Sequence, residues 1–477
     1  MPINLGGPLA WTKATADEQK MLQTLQGNIL KGHGRDYTAN IFFQFDPAKQ
    51  LQSKRLLRDL ANYHLTSAYR QLLDTEQHKI DGKDGGPFAN LALSFKGYQA
   101  LGLAAAAPAD PDFHAGMKAP ASIAALNDPP VAQWEAPFQK DIHGMVLAAA
   151  ATESEMAALA GAIVKLISDA GGGIIHVQHG KALRNAAGRG IEHFGYVDGR
   201  SQPLLLQEDI DHEAETAGTA RWDPAFPLGA ALVKDLGATD PNAFGSLFIF
   251  RKLEQHVRDF KTREQQVADT LLLTGADNRE RAGAFIVGRF EDGTPITLSD
   301  SSRGLEPPND FNYAGDPASR CPFHAHIRKV NPRGTAASER QHIMPRRGIP
   351  YEDVKRAFNP AELPESQTLA DFQTHVAPML PVSGVGLLFM AYNASIAQQF
   401  KFVQQSWADN TGFPGPGNTG IDPVIGQGPN NPGDQKLPKD WDNPAAGTAN
   451  NVPFGGFVKM KGGEYLFAPS LAFLAGL

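Results

Sequence analysis

The sequence predicts an α+β protein in which antiparallel sheets carry peripheral helices. Two observations lead to this fold class. In the first half of the chain, short apolar runs alternate with longer segments of helical spacing, in the order β-α-β-β-α-β. The second half repeats this alternation more loosely. The order is that of a ferredoxin-like module, so we expect two such modules that share an interface.

Each element of the first half has its own signal. Four short apolar runs predict strands: "ANIFFQFD" (39–46), "FANLALSF" (88–95), "GMVLAAAA" (144–151) and "GGIIHVQH" (172–179). Two longer segments with apolar residues at helical spacing predict helices: 47–72 and "ESEMAALAGAIVKLISDA" (153–170). An insertion near 97–140 separates the second strand from the third.

The second half gives fewer signals. Strands are predicted at 246–255 and 384–393, and helices at 262–273 and 395–407. The segments 200–243 and 408–455 are rich in Pro, Gly, Asn and Asp, and are predicted to be long loops.

The composition excludes several classes of protein. The 477 residues carry a net charge of -7, which makes nucleic acid an unsuitable partner. The lone cysteine, Cys321, excludes an internal disulfide and any cysteine-based zinc or iron–sulfur site. The N-terminus lacks a cationic stretch followed by an apolar one, and no run of about 18 apolar residues is present. We therefore expect a cytoplasmic protein that does not enter the membrane.

The first motif is "FGYVDGRSQP" (194–203), which sets Asp198 in a Gly-x-x-Asp-Gly segment. A structural interpretation is a turn in which Asp198 bonds its own backbone and Gly199 takes a positive φ. The functional interpretation is a carboxyl group presented for acid–base chemistry.

The second motif, "RCPFHAHIRKVNPR" (320–333), holds two histidines among basic residues. The spacing of His324 and His326 puts their rings on opposite faces of a strand, or about 200° apart on a helix. Both rings therefore cannot easily bind one ion. One buried histidine could be a ligand, flanked by cations that hold an anionic group. The alternative is a core histidine beside a solvated basic face.

The third motif is "IMPRRGIPYE" (343–352), where two prolines bracket Arg346 and Arg347. In isolation it is equally compatible with a surface loop that carries two solvated arginines.

In this order the three motifs resemble the dye-decolorising (DyP-type) peroxidases, a family of haem enzymes. Three further segments resemble its longer, elaborated branch: "LQGNILKGHGRDY" (25–37), "GLLFMAY" (386–392) and "QQFKFVQQSW" (398–407). The resemblance runs from about residue 22 to the C-terminus. It implies the DyP-type fold, with residues 1–200 forming a module that carries the distal Asp segment and residues 201–477 a module that holds the haem.

The resemblance also implies roles for residues. His326, which precedes Ile327-Arg328, would be the proximal ligand of the iron of haem b. Asp198 would move the peroxide proton, and Arg346 would supply fixed positive charge to the oxygen that leaves. Arg347 competes with Arg346 for that role, but Arg346 stands at the family's R-x-x-I-P-Y position. A carboxylate or carbonyl partner for the histidine is expected and is not identifiable from sequence.

Further residues follow with less support. Arg328 and Arg347 could pair with the haem propionates. Leu387 and Phe389 alternate on a predicted strand and could line the distal pocket, although core packing is an equal interpretation. Trp407 and Tyr351 could be surface radical sites for donors too bulky to reach the haem, although most aromatic rings serve packing.

The predicted function is a haem peroxidase that reduces hydrogen peroxide and oxidises dyes, phenols or other aromatic donors in one-electron steps. The alternative is a non-catalytic haem-binding or haem-iron handling protein, which would have no need of Asp198 and Arg346. Whether the chain forms a homo-oligomer is left open.

Overall fold

The strands of the structure follow the apolar runs of the sequence. The computed structural model describes residues 3–304, 307–334, 337–354, 359–428, 435–449 and 452–477. Within these ranges the strands are β1 (Tyr37–Gln44), β2 (Phe88–Leu93), β3 (Gly144–Ala150), β4 (Gly173–Lys181), β5 (Leu183–Arg184), β6 (Gly190–Ile191), β7 (Val233–Lys234), β8 (Phe244–Gln255), β9 (Ile349–Glu352), β10 (Val385–Asn393), β11 (Leu437–Pro438), β12 (Thr448–Ala449) and β13 (Val458–Ala468).

Helices connect these strands, and the longest, α8 (Glu153–Asp169), packs against β1, β3 and β4. The α-helices of the same ranges are α1 (Ala16–Thr24), α2 (Gln50–Tyr63), α3 (Ala68–Asp81), α4 (Phe95–Ala100), α5 (Pro111–Ala115), α6 (Pro120–Ala125), α7 (Ala136–Gln139), α8 (Glu153–Asp169), α9 (Gln207–Thr216), α10 (Val257–Thr270), α11 (Ala276–Val287), α12 (His326–Val330), α13 (Ala337–Arg340), α14 (Leu369–Asp371) and α15 (Leu471–Ala475). Wider, π-helical turns form Phe372–Val376, Ala397–Lys401 and Val403–Ala408.

The two halves of the chain build the same sheet topology. Strands of the first half lie in the order β4-β1-β3-β2, and those of the second half in the order β13-β8-β10-β9. Numbered within each half, both orders are 4-1-3-2, and the adjacent pairs are antiparallel. This order is the ferredoxin-like arrangement. The predicted α+β fold class with two such modules is therefore confirmed.

The two four-stranded sheets join into one. β13 pairs with β2 through Phe467 and Leu93. At the far edges, β4 and β9 approach so closely that a Cβ added to Gly180 would lie 2.7 Å from Ile349 Cγ2. A side chain at Gly180 would also meet Thr38 Oγ1 at 2.6 Å, so glycine leaves room for the approach of β9. The apolar core beneath this sheet is continuous and takes buried side chains from both halves.

Several elements escaped the sequence prediction. The predicted strands of the first half form, and so do the helix at α8, the strands at β8 and β10 and the helix at α10. The segment 47–72 forms two helices, α2 and the start of α3, because the chain leaves the helical conformation at 64–67. The helices α9 and α11 and the strands β9 and β13 were missed. Residues 200–243, predicted to be a loop, contain α9, whereas the described part of 408–455 is largely irregular; 429–434 and 450–451 lie outside the described residues.

Among the described residues, the helices are all too short or too polar to cross a membrane.

Candidate active site

The three sequence motifs converge on one cavity of about 520 Å³. Asp198 reaches it from the loop after β6, His326 from the first residue of α12, and Arg346 from the segment before β9. The lining comes from both halves of the chain: it includes residues between 28 and 36 and between 182 and 202, and residues of β10 and α12. The motifs are therefore neighbours in space, although more than a hundred residues separate the first from the second.

His326 is oriented by a buried carboxylate. Its Nδ1 lies 2.9 Å from Asp422 Oδ2 and 3.1 Å from Oδ1. The Asp422 carboxylate also accepts hydrogen bonds from the backbone N–H groups of Val424 and Ile425. Because a carboxylate only accepts, Nδ1 carries a proton, and Nε2 is the ring nitrogen left for a ligand. Within the described part of the chain Nε2 has no hydrogen-bond partner, so it is available as a ligand.

His326 and Asp422 each stabilise the charged form of the other. Burial alone would lower the pKa of His326, but the charge and hydrogen bond of Asp422 outweigh it, so that pKa is raised. Burial alone would raise the pKa of Asp422, but His326 and the two backbone donors lower it. Asp422 is thus the carboxylate partner that the sequence could not identify.

His324 faces a different cavity. It is 1% exposed and lines a smaller pocket of about 260 Å³, which His326 does not line. Burial and the nearby Lys329 charge lower the pKa of His324 to about 3, so its ring stays neutral. The expectation that the two imidazoles point apart is confirmed.

Asp198 sits in a turn that is held from both sides. Gly199 takes a φ of 79° and donates its N–H to Asp198 Oδ1 at 2.7 Å. The Glu192 carboxylate accepts the N–H groups of Phe194 and Tyr196 and so fixes the segment that leads to the turn. The turn of the structural interpretation is present, and Asp198 also lines the cavity, where the functional interpretation needs it.

The two adjacent arginines have different surroundings. Arg346 Nη2 donates to the Arg200 carbonyl at 3.3 Å, and burial lowers its pKa while Asp198 opposes that change. Arg347 donates from all three guanidinium nitrogens to backbone carbonyls, at Asn28, Ile29 and Arg346 itself. Arg346 therefore keeps more free donors toward the cavity than Arg347 does.

The chain was compared with known proteins. A family model described as the DyP dimeric alpha+beta barrel domain matches residues 24–181. A multifunctional dye peroxidase of Amycolatopsis sp. (strain ATCC 39116 / 75iv2) is 44% identical over 490 residues, which is 100% of both chains. A dye-decolorizing peroxidase of Mycetinis scorodonius is 30% identical and covers 94% of this chain and 86% of its own.

Solved structures agree with this result. The Amycolatopsis structure superposes with a TM-score of 0.90 at 43% identity over 100% of both chains. A DyP-type peroxidase of Anabaena sp. gives a TM-score of 0.86 at 38% identity, covering 96% of this chain and 94% of its own. The chain belongs to the dye-decolorising peroxidase family.

Membership of the dye-decolorising peroxidases makes the chain a peroxidase, and hence an oxidoreductase. The alternative of a non-catalytic haem-binding protein is not favoured. The family is one of haem enzymes, so haem is the expected cofactor, and the cavity can be tested for its fit.

Two buried arginines give that test. Arg289 and Arg333 lie side by side, 5% and 6% exposed, and both donate to Asn309 Oδ1 at 2.9 Å. In the described ranges neither forms an ion pair with a carboxylate. Burial lowers the pKa of Arg289 to about 10 and that of Arg333 further. Two buried cations without a counter-ion are costly, and both residues line the cavity. The two propionates of a haem are anions of the kind that such a pair can bind, so these residues fit the cofactor.

Arg328 is a correction to the sequence prediction. Its guanidinium is buried against Asp316, at 3.2 Å, and against the Asp316 and Cys321 carbonyls, and it does not line the cavity. It is therefore not placed to meet a propionate. Arg347 lines the cavity, but its nitrogens are held by backbone carbonyls. Arg289 and Arg333 replace both as the suitable pair.

Leu387 and Phe389 line the cavity, and they are the two partly exposed inner positions of β10. Their neighbours on the strand point into the core, as strand alternation requires. Phe389 packs 6.0 Å from Phe400, which lines the same cavity. The two side chains thus give the cavity an apolar wall.

Trp407 and Tyr351 are not surface residues, so the prediction that they could be surface radical sites is wrong about their location. Trp407 is 3% exposed and Tyr351 is 0% exposed, and neither lines the cavity. Trp407 stacks on Phe413 at 5.2 Å between ring centroids. The Tyr351 hydroxyl is buried without a hydrogen-bond partner among the described residues, and Lys252 Nζ lies 4.7 Å from the ring centroid.

Proposed function

We propose that this peroxidase uses haem b to reduce hydrogen peroxide and to oxidise dyes, phenols or other aromatic donors in one-electron steps. The dye peroxidases of Amycolatopsis and Mycetinis scorodonius support this choice of substrates. The observation that carries the proposal is that one cavity is lined by His326, which is paired with Asp422, by Asp198 and by Arg346.

The chain's own residues have separate tasks in this proposal. His326 would bind the iron through Nε2, and Arg289 and Arg333 would hold the propionates. When bound, the haem supplies the two electrons that peroxide takes and recovers them singly from donors. Asp198 takes a proton from one oxygen of hydrogen peroxide and returns it to the other, so that water leaves instead of hydroxide.

Arg346 and the apolar wall complete the site. A guanidinium stays charged at any working pH, so Arg346 stabilises negative charge that develops on the departing oxygen. Leu387 and Phe389 restrict the space and exclude bulk water. Bulky donors then have to be oxidised from a distance, and an interior aromatic residue such as Trp407 would relay their electrons.

The remaining proposals concern the molecule as a whole. We propose the division into a module of residues 1–200 that presents Asp198 and a module of residues 201–477 that holds the haem. A cytoplasmic location stays a prediction from the sequence. Gel filtration with light scattering would decide between a monomer and a homo-oligomer.

The assignment of His326 as the iron ligand is tested by replacing each of the two neighbouring histidines with alanine in turn. His326→Ala should give folded protein that retains little haem after gel filtration, because the bond from protein to iron is lost. His324→Ala is the matched control and should keep a normal Soret band. A His326→Ala variant with an unchanged five-coordinate histidine spectrum would falsify the proposal.

A further inference from the structure

Lys329 is a fully buried ammonium group whose three N–H donors each meet a carbonyl. Its Nζ donates to the backbone oxygens of Asn410 at 2.8 Å, Phe413 at 2.6 Å and Gly420 at 2.8 Å. The residue is 0% exposed. Within the described ranges no carboxylate contacts the ammonium, so its bonds go entirely to backbone. A buried cation persists only when its donors are satisfied in this way.

All three carbonyls belong to one loop. The loop runs from Asp409 to Asp422 without regular secondary structure, and its sequence "DNTGFPGPGNTGID" is rich in glycine. Thr419 closes it internally through bonds to the carbonyls of Thr411 and Phe413. Two residues beyond the Gly420 carbonyl, the loop presents the Asp422 carboxylate to His326.

Lys329 and His326 belong to the same helix. They are three residues apart on α12, so their side chains leave the same face. Lys329 bonds carbonyls near both ends of the loop and at Phe413, and His326 bonds its last residue, Asp422. The helix that carries His326 is thereby fixed to the loop that carries Asp422 at two points.

We infer that Lys329 is a positioning residue: it holds the 409–422 loop so that Asp422 keeps its hydrogen bond to His326 Nδ1. This inference rests on the proposed function, because it gives His326 the iron. A strong bond from Asp422 increases the negative charge on the imidazole, which stabilises oxidised iron and lowers the reduction potential. Weakening that bond should raise the potential.

The inference is tested on the haem-loaded, full-length protein, where the direction of the change in reduction potential is informative. In Lys329→Met the three carbonyls lose their donors, the loop shifts, and the potential should rise in the direction that Asp422→Asn gives. The Fe–His stretching frequency of the reduced enzyme should fall in both variants, and haem transfer to apomyoglobin should become about tenfold faster. Loss of a nearby positive charge alone would lower the potential instead.

A matched control and a milder variant complete the test. Lys118→Met removes another largely buried ammonium, paired with Glu464 away from the cavity, and should leave the potential and the stretching frequency unchanged. If Lys329→Met does not fold, Lys329→Gln replaces it, since its amide keeps two donors; a smaller rise is expected. Hydrogen exchange in 409–422 should accelerate in either Lys329 variant.

The outcomes separate this inference from the proposed function. An unchanged or lowered potential in the folded Lys329 variant, while Asp422→Asn raises it, overturns the positioning role alone. Unchanged values in Asp422→Asn, together with full haem retention in His326→Ala, overturn the proposed function.

Discussion

Asp198 shows how a single residue can satisfy two interpretations of one motif. The Gly199 N–H donates to Oδ1 of its carboxyl group, and the proposed proton transfer would use the other oxygen. Asp198 could be proposed from the sequence because the turn and the carboxyl group belong to one motif of ten residues, 194–203. Long-range partners gave no comparable signal.

Asp422 is such a partner. It lies 96 residues from His326, in a loop where acidic residues are common turn formers. Arg333 belongs to the "NPR" segment of the second motif, but it becomes a candidate for binding a propionate only because Arg289 lies beside it. Local pattern cannot reveal which distant side chains will be neighbours, so these three residues required the structure.

Asp198→Asn should bind haem normally but react with hydrogen peroxide about 10²–10⁴-fold more slowly, because an amide cannot move the proton. The amide oxygen still accepts the Gly199 N–H, so the turn should be kept. Stopped-flow absorbance of the haem measures the rate. Asp223→Asn, at an exposed position, is the control. A rate within twofold of wild type would exclude the shuttle.

The adjacent arginines should give opposite kinds of defect. Arg346→Leu should slow the peroxide reaction by about 10²–10³-fold, since a fixed positive charge is lost. Arg347→Leu should leave that rate nearly unchanged but reduce the free energy of unfolding by about 1–3 kcal/mol, because the carbonyls of Asn28 and Ile29 lose their donor. Stopped-flow rates and denaturant titrations test both. The reverse pattern would transfer the catalytic role to Arg347.

At the scale of elements, a strand could be predicted where its run of apolar residues is unbroken. The unbroken runs at β1, β2 and β3 were found. β13 was missed because Gly462 and Gly463 interrupt it; a Cβ at Gly462 would lie 2.3 Å from Phe138 Cγ. β9 was missed because it has four residues including Pro350, which suits only a sheet edge.

The helical segment Val403–Ala408 links the cavity to the interior aromatic residues. Val403 and Gln404 line the cavity, and Trp407 lies about one turn further along. Tyr351 is the weaker relay, because its hydroxyl has no described acceptor for the proton that oxidation releases, and the Lys252 charge opposes electron loss.

Trp407→Phe should therefore lower turnover of a bulky dye more than turnover of a small phenol. The rate with hydrogen peroxide should stay unchanged, because Trp407 does not line the cavity. Tyr351→Phe is the matched aromatic control and should behave like wild type. Steady-state kinetics with both donors measure the split. Equal dye turnover in Trp407→Phe and wild type would point to direct donor access at the haem.

At the scale of the whole molecule, the two modules share more than a surface. Gln26 of the first half, 0% exposed, donates to the carbonyl of Leu91 in β2 at 2.8 Å and to that of Pro469, just beyond β13, at 2.7 Å. The main apolar core takes buried side chains from both halves, and a second, smaller cluster lies between Phe194 and Phe454. The internal repeat could be predicted from sequence, but this fusion could not, because each half shows only its own apolar pattern.

A shared core predicts that the modules unfold together. Proteins of several domains commonly unfold in steps, so a single transition would be informative here. In the haem-free chain, far-ultraviolet and near-ultraviolet circular dichroism should give the same midpoint on heating. The fragments 1–200 and 201–477, expressed separately, should each expose the apolar face that the other covers, bind the dye ANS, and fail to hold haem, since the cavity needs lining residues from both. Two separated transitions, or a fragment 201–477 that folds and binds haem alone, would show that the joined sheet contributes little to the stability of either half.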